Sequence, residues 1–329
     1  MSNQQLRWGI VGSAAIAKRA VIPGIQASKS GVVAAIASRT EDKAKETAES
    51  LGIPTAYGSY EQLLQDDSID AVYIPLPNHL HKEWTIRAAE AGKHVLCEKP
   101  IALNAKEAHE MVEACEKAGV VLAEAFMYRH HPRWDRIKDI IASGEIGDIR
   151  GIHGTFTFNS AGNRENVRFR KEWGGGSVYD VGCYPISAAR MILGAEPEAV
   201  TCRALFSPEH DDVDMMASGL LEFAGDVSLT FDCGMWADFR NTLEILGTVG
   251  RIEVPSAFIG NQNFYVIAKG QRREETMPEL NTYSLQADVF AENVLRKTAQ
   301  KYPPSDAVKN MTVIDACLLS ARERIRVSL

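Results

Sequence analysis

The first 123 residues alternate between short apolar runs and polar, helix-forming stretches, and this rhythm constrains the fold more than any single motif. The runs lie at 7–11, 32–37, 71–74, 95–97 and 120–123, each closed by glycine, proline or polar residues. Strands that alternate with helices predict a doubly wound parallel sheet. In such sheets ligands bind at the carboxyl ends of the strands. The residues that end each run are therefore the ones to weigh for chemistry.

The first run ends at Gly12, followed by Ser13, Ala14, Ala15, Ile16 and Ala17 at the start of a helix. Strand, tight turn and helix form the setting of a pyrophosphate-binding loop, where free amides and the helix dipole meet an anion. Gly12 and Ala17 fill the first and third positions of the usual Gly-x-Gly-x-x-Gly/Ala pattern, but Ala14 replaces the second glycine. A plain tight turn remains the competing explanation. The second run ends at Ser38-Arg39-Thr40, where an NAD-selective site carries an acid for the ribose 2′-hydroxyl. A hydroxyl and a guanidinium suit a 2′-phosphate instead, which predicts a preference for NADP(H) with NAD(H) as the second possibility. The third run ends at Leu76-Pro77-Asn78, with His81 close behind; Asn78 and His81 are candidates for the ribose or the nicotinamide.

The fourth run ends in Glu98-Lys99-Pro100. A strand interior rejects this sequence, so the charged pair belongs at the carboxyl edge. Lys99 can supply a fixed charge, a proton or a nucleophile there; a solvated ion pair at a strand end is the alternative.

Beyond Ala125 the rhythm changes. Strand patterns dominate from Arg150, several joined by tight turns, with helices expected at 132–142, 183–193, 284–299 and 305–322. This predicts an antiparallel sheet with helices on one face. The expected division is 1–126 for a nucleotide-binding domain and 127–329 for a substrate and oligomerisation domain, since 329 residues exceed what one core usually serves. The polar stretch 159–171 reads as a mobile lid. Next comes Gly174-Gly175-Gly176, which lets the chain pass close to something bulky. Asp180 and Tyr184 follow, four residues apart and so on one helix face. Carbonyl reduction needs a proton donor at oxygen, and a tyrosine beside a lysine ammonium has a lowered pKa. Equally, Asp180 can be a helix N-terminal acid and Tyr184 a core aromatic.

A net charge of −7 argues against nucleic acid as a partner. The six cysteines form no Cys-x-x-Cys pair and no Cys/His cluster, so reduced thiols and no metal are expected. No window approaches the roughly 18 apolar residues of a membrane span. The N-terminus leads directly into a strand without the pattern of a secretion signal, so a cytoplasmic enzyme is expected.

Taken together, Gly9-x-x-Gly12 with Ile16-Ala17, Pro77-Asn78 with His81, Glu98-Lys99-Pro100, Met127-Tyr128-Arg129 with His131-Pro132, and the glycine run ending in Asp180-x-Gly182-x-Tyr184 resemble the glucose–fructose oxidoreductase/inositol dehydrogenase (Gfo/Idh/MocA) family. The resemblance covers almost the whole chain. It implies an α/β fold: an N-terminal Rossmann domain with a doubly wound parallel sheet, plus a C-terminal α/β domain with a large open antiparallel sheet. That sheet would form a homodimer or homotetramer contact. The resemblance implies Lys99, Asp180 and Tyr184 as catalytic residues, with a cis bond from Lys99 to Pro100. Gly12, Ser13, Ala14, Ala15, Ile16, Ser38, Arg39, Lys43, Leu76, Pro77, Asn78, His81, Glu98, Lys99, Arg170 and Trp173 would contact the cofactor. Lys99, Arg129, Trp173, Asp180 and Tyr184 would border the substrate. Tyrosine at 184, where inositol dehydrogenases carry histidine, is similar to the branch with dihydrodiol dehydrogenase, NADP-dependent xylose dehydrogenase and glucose–fructose oxidoreductase.

The function expected is an NADP(H)-dependent oxidoreductase acting on a sugar or related cyclic polyol. A reductase or dehydrogenase of a non-sugar carbonyl or trans-dihydrodiol is the alternative. A catalytically silent NADP-sensing regulator is the alternative of another class.

Overall fold

The computed structural model describes residues 5–329. The chain opens with β1 (Leu6–Val11), α1 (Ile22–Gln26), β2 (Gly31–Ala37), α2 (Glu41–Leu51), β3 (Thr55–Tyr57) and α3 (Tyr60–Leu64). It continues through β4 (Ala71–Ile74), α4 (His81–Glu90), β5 (His94–Cys97), α5 (Ala105–Ala118) and β6 (Leu122–Glu124). Next are α6 (Arg133–Ala142), β7 (Ile149–Asn159) and α7 (Cys183–Leu193), then β8 (Ala199–Ser207), β9 (Val213–Phe223), β10 (Val227–Gly234) and β11 (Trp236–Gly247). The chain closes with β12 (Gly250–Val254), β13 (Phe264–Ala268), β14 (Gln271–Glu275), α8 (Thr282–Leu295), α9 (Pro304–Glu323) and β15 (Val327–Ser328). Two compact units result: residues 1–131 with 280–308, and residues 132–279 with 309–329.

The first unit is built on a parallel sheet of order β3-β2-β1-β4-β5-β6. The strand order reverses between β1 and β4, which leaves a crevice at their carboxyl ends where such sheets take ligands. The helix starts follow sequence chemistry. Ser59 Oγ accepts the Gln62 N–H at 3.3 Å, and Asn104 Oδ1 accepts the Glu107 N–H at 2.9 Å. Both satisfy amides that a helix N-terminus leaves open. A widened turn, Ala17–Val21, leads into α1. It comes just before Pro23, which has no N–H to donate and crowds the preceding turn.

Helix α8 joins this unit through a close approach. A Cβ on Gly24 would lie 2.5 Å from Tyr283 Cβ, so glycine is needed at the α1–α8 contact. Ser284 Oγ donates to Gly24 O at 2.8 Å, and Asp288 accepts the Lys29 and Ser30 amides, both at 2.9 Å. Phe290 then packs on the buried Trp8 ring, centroids 4.9 Å apart.

The second unit carries a sheet of order β14-β13-β12-β11-β7-β10-β9-β8-β15. It is mixed: β7 and β10 run parallel, and the other neighbouring strands antiparallel. The parallel pair arises because α7 and two further strands intervene between β7 and β10, and a long crossover allows parallel alignment. Helix α7 lies on β7 so closely that a Cβ on Gly154 would meet Pro185 Cβ at 2.6 Å. Strands β3 and β14 escape the sequence reading: β3 is too short for a period, and β14, Gln-Arg-Arg-Glu-Glu, has no apolar face.

Candidate active site

In the first unit, Gly12 ends β1 with φ 112°, and its N–H donates to Ala37 O at 2.9 Å. A Cβ there would sit 3.0 Å from Leu76 Cδ2, so the loops after β1 and β4 meet at this glycine. Ala14 lies outside the left-handed region, and its carbonyl already accepts the Lys18 N–H at 3.1 Å. The backbone thus asks for no glycine at the second position of the motif, which explains the departure from the usual pattern. Ser13, Ala14 and Ile16 are half-buried and Ala15 is exposed, around the start of that helical turn. The crevice therefore offers a loop without side-chain bulk and a helix N-terminus, which fit a pyrophosphate.

At the end of β2, Arg39 and Lys43 are exposed, whereas Ser38 is buried with its amide bonded to Tyr57 O at 3.1 Å. Two exposed cations beside the loop fit an anionic 2′-substituent. Tyr60 was not anticipated here. Its hydroxyl lies 3.8 Å from the Cβ position of Gly12, and its ring meets Trp84 edge-on at 4.8 Å. Burial raises the Tyr60 pKa, and the Arg39 charge opposes that rise.

The segment after β5 is fixed from several sides. The Glu98 N–H donates to Ile74 O at 3.1 Å, and the Ile101 N–H donates to Glu124 Oε1 at 3.0 Å. The buried Tyr73 hydroxyl donates to Glu98 Oε1 at 2.6 Å; burial, then the Glu98 charge, push its pKa well up. Lys99 is half-buried, and its bond to Pro100 is cis. The Lys99 charge also bears on Tyr283, where burial is the larger effect and raises the phenol.

His81 takes a different place from the one its spacing suggests. It is fully buried, with Nδ1 3.0 Å from Pro100 O and Nε2 2.7 Å from Leu76 O. Burial pushes its pKa down to about 4, so at neutral pH it is uncharged, and its single N–H donates to one of these two carbonyls. It ties the loop after β4 to the segment after Lys99. Pro77 and Asn78 are half-buried beside it. Arg129 is buried, with Nη1 2.7 Å from Asp306 Oδ2 and its guanidinium over Phe126 and Tyr302 at 4.5 and 5.1 Å. These contacts engage its charge within the unit.

In the second unit, Asp180 and Tyr184 lie on one helical run, a widened turn Val178–Gly182 that continues into α7. Tyr184 is buried against the rings of Phe156 and Phe258, both at 5.2 Å. Asp180 Oδ2 accepts from Arg168 Nε at 2.6 Å. Arg170 and Trp173 are exposed.

The glycine run has a local explanation. A Cβ on Gly175 would lie 2.5 Å from Arg168 O, and one on Gly176 would collide with the Asp214 carboxylate. The bulky objects it passes are the chain's own carbonyls and a buried acid. Asp214, 2% exposed, was not anticipated. Its Oδ2 accepts the Ser177 hydroxyl and the Val178 N–H, both at 2.7 Å, at the N-terminus of the helix that carries Asp180. Burial raises its pKa to about 6, against those two hydrogen bonds. The stretch before the glycines is pinned: Lys171 N–H donates to Asp211 at 2.8 Å, and His210 Nε2 lies 3.1 Å from Ala161 O.

All six cysteines are buried and none is in a disulfide. Among the described residues, no three His, Cys, Asp or Glu side chains could together hold a metal, and no helix is long and apolar enough to cross a membrane.

Comparison with known proteins agrees with these features. Residues 6–126 match the model of an oxidoreductase family with an NAD-binding Rossmann fold, and residues 134–253 match the GFO/IDH/MocA C-terminal domain. The chain is 39% identical to a D-xylose 1-dehydrogenase (NADP(+)) of Haloferax volcanii, covering 98% of this chain and 100% of the relative. It is 33% identical to trans-1,2-dihydrobenzene-1,2-diol dehydrogenase of Mus musculus, covering 84% and 81%. A 3-ketoreductase of Actinomadura kijaniata in complex with NADP and TDP-benzene superposes with a TM-score of 0.91 at 31% identity, covering 96% and 98%. The chain belongs to the Gfo/Idh/MocA family of oxidoreductases.

Proposed function

We propose that this oxidoreductase moves a hydride between NADP(H) and a carbinol or carbonyl carbon of a sugar or related cyclic polyol. The observation that carries the reading is Lys99, held half-buried at the carboxyl edge of β5 by the contacts of Glu98 and Ile101. The identity of 39% with a xylose dehydrogenase along the full chain supports the substrate class. The nicotinamide supplies or accepts the hydride when bound. The loop from Gly12 to Ile16 takes the pyrophosphate, Arg39 and Lys43 face the 2′-phosphate, and the buried Ser38 holds the strand end beneath them. Leu76, Pro77, Asn78, Glu98, Lys99, Arg170 and Trp173 complete the cofactor's surroundings, with His81 as their support.

The Tyr184 hydroxyl gives a proton to the carbonyl oxygen during reduction and takes it back during oxidation. Lys99 supplies the ammonium charge that favours the phenolate. Asp180 accepts from a substrate hydroxyl and so orients it, with Trp173 and Arg129 bordering or supporting that place. Positioned proton transfer contributes roughly 10²–10⁴ in rate. The Phe156 and Phe258 rings around Tyr184 favour a second reading, a trans-dihydrodiol substrate with a flat apolar face. Both readings are tested by following NADPH absorbance in both directions over aldoses, ketoses, inositols and trans-diols. Turnover of sugars or polyols is expected. Near-normal turnover in Lys99→Met or Tyr184→Phe, with NADPH binding intact, would overturn the assignment.

A further inference from the structure

Arg168 reaches Asp180 across twelve residues of chain, Nε to Oδ2 at 2.6 Å. Several features distinguish this contact from a surface ion pair. The carboxylate is sheltered: Asp180 is 14% exposed and Arg168 41%. The arginine backbone is clamped, since its N–H donates to Asn166 Oδ1 at 3.1 Å and its carbonyl accepts the Gly176 N–H at 3.0 Å. Gly175 must be glycine for that carbonyl to come so close. The guanidinium also lies 5.9 Å from the centre of the Phe158 ring. The clamped backbone sets where the side chain starts, and Nη1 also donates to Asn166 Oδ1 at 3.4 Å on the way to Asp180.

We propose that Arg168 is a positioning residue of the reaction, whose guanidinium holds the Asp180 carboxylate in one orientation toward the substrate. This rests on the oxidoreductase reading above. An ionised carboxylate only accepts hydrogen bonds, so it selects a hydroxyl on the substrate. A guanidinium is charged at every working pH, and its short Nε contact to Oδ2 fixes where that oxygen lies. Without it, Asp180 loses the contact that places Oδ2, and misplacement of about 1 Å costs about 10²-fold in rate.

The test uses full-length Arg168→Ala and Arg168→Lys, with D-xylose, D-glucose, myo-inositol and trans-1,2-cyclohexanediol as probes. Arg168→Ala is expected to lose about 10²-fold in kcat, with the Kd for NADPH and the melting temperature unchanged. Millimolar guanidinium or ethylguanidinium should restore part of that kcat, and should leave Arg168→Ala/Asp180→Asn inactive. Arg168→Lys should fall between, since lysine keeps the charge without the planar fork. Wild-type turnover together with an equally active Arg168→Ala variant overturns the proposal alone. A loss that guanidinium does not relieve and that comes with a lowered melting temperature also overturns it, in favour of a purely structural role. Absence of wild-type turnover on every probe overturns the oxidoreductase reading for polyols, and this proposal with it.

Discussion

Replacing Asp214 by asparagine separates the charge of the buried acid from its shape. Asparagine can still accept the Ser177 hydroxyl and the Val178 N–H, so the start of the helix keeps its cap. What changes is the pH dependence of stability. Burial raises the Asp214 pKa from 3.8 to about 6 in the folded protein. An acid raised in this way contributes stability that is fully present below its unfolded value and is lost as pH rises through the folded value. Between about pH 4 and pH 6 the folded chain retains a proton that the unfolded chain has released; above that window the penalty is constant. At about 1.36 kcal/mol per pH unit, the full effect is about 3 kcal/mol. Asparagine has no such window. Urea unfolding of both proteins at pH 4 and pH 7 measures the effect. The stability of Asp214→Asn relative to wild type should rise by about 2 kcal/mol from the lower pH to the higher, because pH 4 already lies within the titration window. A difference that stays the same at both pH values would refute the argument that Asp214 is the buried group that titrates.

Three further outcomes are expected. Arg39→Ala should weaken NADPH binding about tenfold and leave NADH binding nearly unchanged, as the loss of one charge-assisted contact predicts; a fluorescence titration with both cofactors checks this. Gly12→Ala should weaken NADPH binding and lower stability by about 1–3 kcal/mol, because φ is 112° and the new Cβ sits 3.0 Å from Leu76; thermal melts with and without NADPH separate the two effects. Gly24→Ala should lower stability by about 1–3 kcal/mol, since the added methyl meets Tyr283 Cβ at 2.5 Å; differential scanning calorimetry reads the change.

The parallel sheet of the first unit is legible because each buried strand shows as a continuous apolar run with a sharp polar end. Helix starts are legible for a similar reason, since Ser59 and Asn104 act within three residues of themselves. The boundaries move where local signals compete: the run 120–123 becomes a strand at Leu122–Glu124, because the turn after Gly119 uses its first residues. Helical periodicity in 282–295 likewise says where a helix is but not what it packs against. That information sits in Gly24, whose missing side chain has meaning only once Tyr283 is beside it.

The site shows the same limit in a sharper form. Gly12, Arg39 and Lys99 stand out because a strand pattern cannot absorb them. Arg168 and Asp214 do not, because each looks like an ordinary polar residue until its partner is known. Asp214 meets Val178 across 36 residues, and Arg168 meets Asp180 across 12. The glycine run shows how such partners mislead. Three glycines suggest room for a ligand, yet Gly175 and Gly176 make room for the Arg168 carbonyl and the Asp214 carboxylate. A glycine run therefore signals close approach, and only the geometry says whether the close object is a substrate or the chain itself. Here the chain itself uses that space, and it does so to hold in place the helix that carries Asp180 and Tyr184.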